Sequence, residues 1–171
     1  MGFSISWLAV CGKPKADILA ALALADTAQA TDADESEMSG ALLPGGWYVI
    51  YLNEFWHTLV QPESVAALSS GATVVGCAVE EHAMASLAFL YQEGECVWQV
   101  SHVLDMGNDH LDIDGQAPEA TSALLQAAIQ RHEAEGYDAV FNVPVDLAFQ
   151  ACGFRHDAEH AVEFTELFAQ D

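Results

Sequence analysis

Basic side chains are almost missing from this chain. Its 171 residues hold four Lys and Arg against 26 Asp and Glu, a formal charge of −22 with histidine neutral. Protonating all seven histidines would still leave it strongly acidic. A field of that sign repels phosphate backbones and anionic lipid, which argues against nucleic acid and membrane surfaces as partners. Long apolar runs are missing too: none approaches the roughly 20 residues of a membrane-spanning helix. Cysteine is scarce and forms no C-x-x-C pair, so Cys11, Cys77, Cys96 and Cys152 read as reduced, mostly buried thiols of a cytosolic protein. Phosphate-cradling glycine loops are absent: Gly12-Lys13 runs into Pro14, and Trp7 stands where the first Walker glycine belongs. No serine sits in a G-x-S-x-G elbow. Basic residues do not precede the apolar residues 8–11; Lys13 and Lys15 follow them, so no export leader is expected. Met1-Gly2 with Ser6 fits the formal myristoylation pattern, but apolar residues 3, 5 and 7 alternating with small polar ones point to a first β-strand.

What is present is apolar mass. Hydrophobic residues make up 52% of the chain, enough at this length for one globular domain, 1–171, with a real core. After the first strand, Pro14 opens a helix whose face carries Ile18, Leu19 and Leu22, ending near Ala25. Residues 26–46 collect Asp26, Asp32, Asp34, Glu35 and Glu37 without a base, which predicts a mobile acidic loop. Residues 47–52 are aromatic and β-branched and predict a buried strand; residues 62–68 predict a short helix stopped by Gly71.

Residues 72–103 form the clearest β region, with three strands, a turn at Glu93-Gly94 and a bend or bulge near Glu80-Glu81-His82. An acidic loop is expected over 105–115. A long helix over 118–135 places Thr121, Leu124, Leu125, Ala128 and Ile129 on one face, spaces Arg131 and Glu135 to pair, and stops at Gly136. Residues 139–141 suggest a short strand, 144–152 a short helix ended by Gly153, and 162–165 a final edge strand. Strands that follow one another through turns predict an α+β fold, a mixed or antiparallel sheet centred on 72–103 with helices packed against it.

Several segments together, FSISWLAVCGK at 3–13, LPGGWY at 43–48, AVEEHAM at 78–84, VWQVSH at 97–102, NVPVDLA at 142–148 and GFRHD at 153–157, make the chain resemble a family of small bacterial proteins with no assigned activity. The resemblance spans nearly the whole chain. It implies a bacterial, single-domain, cytosolic protein and carries no reaction or ligand.

Few motifs offer chemistry. Residues 110–115 copy part of a calcium loop, but His110 replaces the first carboxylate and Thr121 stands where the bidentate Glu belongs, so an Asp-rich turn is expected. His156-Asp157-Ala158-Glu159-His160 matches H-x-x-E-H, which binds metal only on a helix; following a helix-stopping glycine, it reads as a solvated turn. The remaining cluster is Glu80, His82 and His102, a candidate divalent-metal or acid–base site. It requires His102 on the face of Glu80 and His82. A three-residue loop after the second strand sets His102 opposite Met84 and permits this; a two-residue loop sets it opposite Ala85 on the other face, and is the geometry that Glu93-Gly94 favours. Trp56 and His57 follow a strand end and form a candidate binding surface, with packing the competing role for Trp56. The sequence therefore points first to a non-enzymatic acidic protein engaging a basic protein partner, with no cofactor expected. The alternative is a metal-assisted or acid–base small-molecule enzyme built on the Glu/His strand cluster.

Overall fold

The computed structural model describes residues 2–171, so the first residue of the myristoylation pattern lies outside the described residues. The fold is α+β, and its sheet is antiparallel at every strand pair. In chain order the elements are β1 (Ser4–Cys11), α1 (Lys15–Ala21), β2 (Leu24–Thr31), β3 (Met38–Leu42), β4 (Tyr48–Leu52), α2 (Pro62–Leu68), β5 (Thr73–Glu80), β6 (Ala85–Gln92), β7 (Glu95–Val103), β8 (Asp112–Gly115), α3 (Ala120–Glu135), α4 (Asn142–Cys152) and β9 (Phe164–Ala169). The nine strands lie in the order β2-β9-β3-β4-β1-β5-β6-β7-β8. The first strand is thus the middle of the sheet, not the 72–103 region, which forms most of one wing.

Both faces of that middle are covered, and this explains the apolar runs of β4, of the second half of β1 and of the middle of β5. One face sends Ile5, Trp7, Val49, Tyr51, Cys77 and Val79 towards α4; the other sends Leu8, Val10, Tyr48, Ile50 and Val74 towards Ile18 of α1 and Val65 and Leu68 of α2. Two glycines make room for rings on the second face. A Cβ at Gly76 would overlap the ring of Phe89, its partner across β5 and β6, and one at Gly40 would overlap the Tyr48 hydroxyl. Helix α4 lies on β5, β6 and β7 and buries Val143, Val145, Leu147 and Ala148; α3 packs against α4.

Several expectations need correction. Residues 26–46 are not one loop: they hold most of β2 and all of β3, and the Asp32–Glu37 connection is tied down. There the Glu35 N–H donates to the Asp32 carbonyl at 3.1 Å, and Asn53 Nδ2 donates to the Asp34 carbonyl at 3.0 Å. The residues of β2 and β3 are mostly small, so their strand state comes from pairing with β4 and β9 and not from local propensity. The first helix ends at Ala21, and Leu24 already belongs to β2. The break near Glu81 is a full reversal, with Met84 at φ 47°, that closes a β5–β6 hairpin. Within the expected acidic loop over 105–115, residues 112–115 pair with β7 as an edge strand. Residues 139–141 form the turn into α4 and not a strand. The last strand, β9, is internal, lodged between β2 and β3. Arg131 lies over the Tyr137 ring at 5.3 Å instead of pairing with Glu135. Cys77 and Cys152 are buried, but Cys11 is half-buried and Cys96 exposed, and all four are free.

Because α4 lies on the sheet and α3 on α4, the two helices differ in what truncation costs. Leu147→Ala should destabilise by about 2–5 kcal/mol, as for a fully buried leucine, and Leu125→Ala, half-buried on α3, by distinctly less. Thermal melts should show the larger Tm drop for Leu147→Ala, at roughly 2–4 °C per kcal/mol; equal drops would contradict this layering.

Candidate functional site

The Glu/His cluster expected from sequence is not assembled. Glu80 ends β5 on the α1/α2 face, where Oε2 accepts the Ser4 hydroxyl at 2.5 Å and Oε1 lies 3.0 Å from both the backbone N and Nδ1 of His82. The Ser4 hydrogen bond, then those from His82, hold the Glu80 carboxyl below its usual range. His82 is exposed in the turn. The β6–β7 turn is indeed the two residues Glu93 and Gly94, both with positive φ (49° and 82°), the form that suits a tight hairpin. A bulge at Val97 then shifts the register, so His102 pairs with Ser86 and not with Ala85 or Met84, and points to the α4 face, away from Glu80. Among the described residues no three His, Cys, Asp or Glu side chains converge closely enough to hold a metal ion.

His102 is instead the centre of a buried joint. Its Nδ1 donates to the His110 carbonyl at 2.7 Å, and its Nε2 lies 2.7 Å from Asp138 Oδ2. A carbonyl only accepts, so a proton is fixed on Nδ1, and Nε2 faces the carboxylate. Asp138 Oδ1 accepts the Phe141 N–H at 3.3 Å, and Ser86 donates to the Phe141 carbonyl at 2.7 Å. The network binds the β6–β7 hairpin, the 104–111 segment and the start of α4 together. Nothing in it is free to meet a substrate. Asp138→Ala should leave a buried imidazole without its partner and cost about 3 kcal/mol in urea unfolding; a change near zero would mean the joint carries no strain-bearing role.

The other sequence candidates are also engaged by the protein itself. Trp56 is half-buried against the α1/α2 core with φ 53°; the backbone N–H of Leu59 donates to His57 Nδ1 at 3.1 Å, which caps a short 3-10 turn. A hollow of 420 Å³ brings His82 near Glu81, Tyr137, Asp138 and Asn142, but Glu81 accepts the Phe3 N–H at 2.9 Å, His82 is bound to Glu80, and Asp138 is committed as above.

A wider opening lies elsewhere. The half of the α4-side sheet face beyond α4 is roofed by two irregular segments, the β2–β3 connection and the α4–β9 connection, and a cleft of 820 Å³ opens between them. Its rim carries Asp32, Asp34, Glu35, Glu159 and Glu163, all exposed, and no Lys or Arg lines it. Its walls include Phe3, Tyr51, Phe154 and His156. Tyr51 is 1% exposed and its hydroxyl has no hydrogen-bond partner; both ring nitrogens of His156 are likewise buried without one. Burial pushes the Tyr51 hydroxyl well above the usual phenol range, and the nearby charge of Asp34 adds to it. Burial also lowers His156, against the pull of Asp157, so its imidazole is neutral; Phe3 meets its ring edge-on at 4.8 Å.

The H-x-x-E-H segment makes one wall of this cleft. It is a turn, as expected, with Asp157, Ala158 and Glu159 exposed, but its two histidines pack inward. Trp7 packs edge-on against Phe154 at 4.9 Å, His160 stacks on the other residue of that pair at 4.5 Å, and His160 Nε2 lies 2.6 Å from the Arg155 carbonyl. Arg155 fastens the segment to α4 through Asp146 and Asn142, and to its own turn through Asp157 at 2.6 Å. Burial is the largest single influence and would raise the Asp157 carboxyl, but the Arg155 hydrogen bond together with the charges and hydrogen bonds around it holds it low. Sequence reasoning found the motif and the acidic run separately. It had no signal that β9 would bring them to one cleft, nor that Tyr51 would stand between them.

Comparison with known proteins adds no family: no protein-family model, no curated protein and no solved structure matches the chain.

The buried, neutral His156 has a consequence for stability. Between its depressed folded value and about 6.5, the unfolded chain binds the proton and the folded chain does not, so stability is lost as pH falls through that window. His156→Phe keeps the contact with Phe3 and removes this loss. Chemical denaturation at pH 7.5 and pH 5.5 should show wild type losing more stability than the variant on acidification; parallel losses would refute a buried neutral histidine.

Proposed function

We propose that the protein is a non-enzymatic acidic interaction protein that engages a basic protein partner, in a cytosolic setting consistent with its four free cysteines. The observation that carries the reading is the fate of its four basic side chains. Lys13 donates to the Leu68 carbonyl at 2.9 Å, Lys15 pairs with Asp26 at 2.5 Å, Arg131 covers Tyr137, and Arg155 holds Asp146 and Asp157. Only Asp26, Asp146 and Asp157, of 26 carboxylates, meet a Lys or Arg side chain among the described residues. The uncompensated field falls on a cleft lined by no Lys or Arg. Such a field raises the encounter rate with a basic protein and rejects acidic ones. High net charge also keeps a protein soluble, so charge alone names no partner; the acidic rim gives it a place to act.

Affinity capture from the source lysate at low salt, followed by rebinding of each purified captured protein, tests the reading. One basic protein should rebind stoichiometrically, with affinity falling steeply as salt rises from about 0.05 to 0.15 M. Recovery of no basic protein, or binding insensitive to salt, would overturn it.

A further inference from the structure

We propose that the cleft between the β2–β3 and α4–β9 connections receives an arginine side chain of that basic partner, an inference that rests on the interaction reading and assigns it a site. The acidic rim by itself attracts any cation. What selects among cations is the interior. Tyr51 lines the cleft but is almost wholly buried, its hydroxyl covered and unpartnered, and it has the charge of Asp34 close to it. His156 adds an unpartnered ring nitrogen able to accept a hydrogen bond. These are acceptors in a wall whose aromatic part is Phe3, Phe154, Phe164 and His160, with Thr31 and Val162 beside them.

A lysine ammonium is compact and strongly hydrated, and entering such a wall would strip its water for few acceptors. A guanidinium is planar and weakly hydrated, lies against aromatic rings, and spreads five N–H donors around its edge. Held at the mouth by the Asp34 carboxylate, it needs only to part the side chains that cover the Tyr51 oxygen and the His156 nitrogen to donate to them. At 820 Å³ the cleft is far larger than one side chain, so it accommodates the backbone around the arginine as well. The partner therefore presents an arginine on an exposed segment, and the occupant is a protein and not a free amine.

The probe is a short neutral peptide bearing one arginine, compared with the same peptide bearing lysine or citrulline, titrated into the ¹⁵N-labelled full chain at low salt. Chemical-shift changes should concentrate at residues 32–35 and 156–163, with arginine binding at least about fivefold tighter than lysine and citrulline not binding. Tyr51→Phe, which removes only an unpartnered hydroxyl and should keep or raise Tm, should weaken the arginine peptide about tenfold. Asp34→Asn with Glu159→Gln should weaken it more than Asp105→Asn with Asp109→Asn, an equal loss of charge at exposed positions that do not line the cleft. Equal effects of the two charge pairs, scattered shifts, lysine binding as well as arginine, or no effect of Tyr51→Phe would each overturn the arginine site. The capture experiment separates the two failures: a basic partner that rebinds wild type and Tyr51→Phe alike leaves the interaction reading standing without this site, whereas no partner and no arginine binding removes both.

Discussion

The scarcity of positive charge governs how this fold is joined. Each of the four cations sits where one element meets another. Lys13 reaches from the turn after β1 to the last carbonyl of α2, which is also where a helix end favours a cation. Lys15 ties α1 to Asp26 of β2 and lies 5.6 Å from the Tyr48 ring centre. Arg131 fixes the end of α3 over Tyr137, and Arg155 fastens the chain after α4 back onto that helix. Surface ion pairs contribute little to stability as a rule, so the work of holding the sheet falls to its two apolar faces. The cations instead set which way the connections run. Arg155 in particular holds the segment that walls the cleft, and so a base spent on structure shapes the place where acids are left over.

Two-sided burial explains which parts of the fold were legible in the sequence. β4, the second half of β1 and the middle of β5 are buried on both faces and appear as apolar runs, and α2 and α4 carry a proline at or near their start with a glycine, Gly71 or Gly153, after their end. β2, β3 and β8 have no such signature. β3 places Ser39, Gly40 and Ala41 inside, and at Gly40 Tyr48 and Leu167 leave no volume for a Cβ. Its strand state is written in the residues that surround it, one of them in the last strand of the chain. β8 is exposed throughout and keeps Asp112 and Asp114 on an outer edge, where charge discourages pairing with another sheet. Composition alone cannot separate such strands from loops.

Parity explains what happened to the histidines. Side chains alternate across a strand, so one unpaired residue reverses the face of everything beyond it. The two-residue turn at Glu93-Gly94 was readable from its residue types; the bulge at Val97 was not, since nothing about valine there marks an extra residue. That bulge turns His102 into the protein and gives it Asp138, a residue the sequence had not distinguished from other surface aspartates. The same shift takes His102 away from Glu80 and His82. A cluster adjacent on paper becomes a structural joint on one face and a solvated turn on the other.

The cleft follows from what the fold leaves uncovered. α4 shields only the β5–β7 wing of its face, and the chain has no further helix for the rest, so irregular segments roof β4 and β9. Irregular roofs pack less completely than helices. Tyr51 and His156 show the result: buried polar atoms without partners, each costing about 1–3 kcal/mol relative to a satisfied group. Phenylalanine at either position would spare that cost and keep the ring. Trp7 and Tyr48 also bury an unpartnered polar atom, but neither lines the cleft. What distinguishes Tyr51 and His156 is that they stand directly behind the wall of the opening that the carboxylates surround. An acidic mouth over unsatisfied acceptors is complementary to a group that is cationic, flat and rich in N–H donors, and the fold places no such group of its own there.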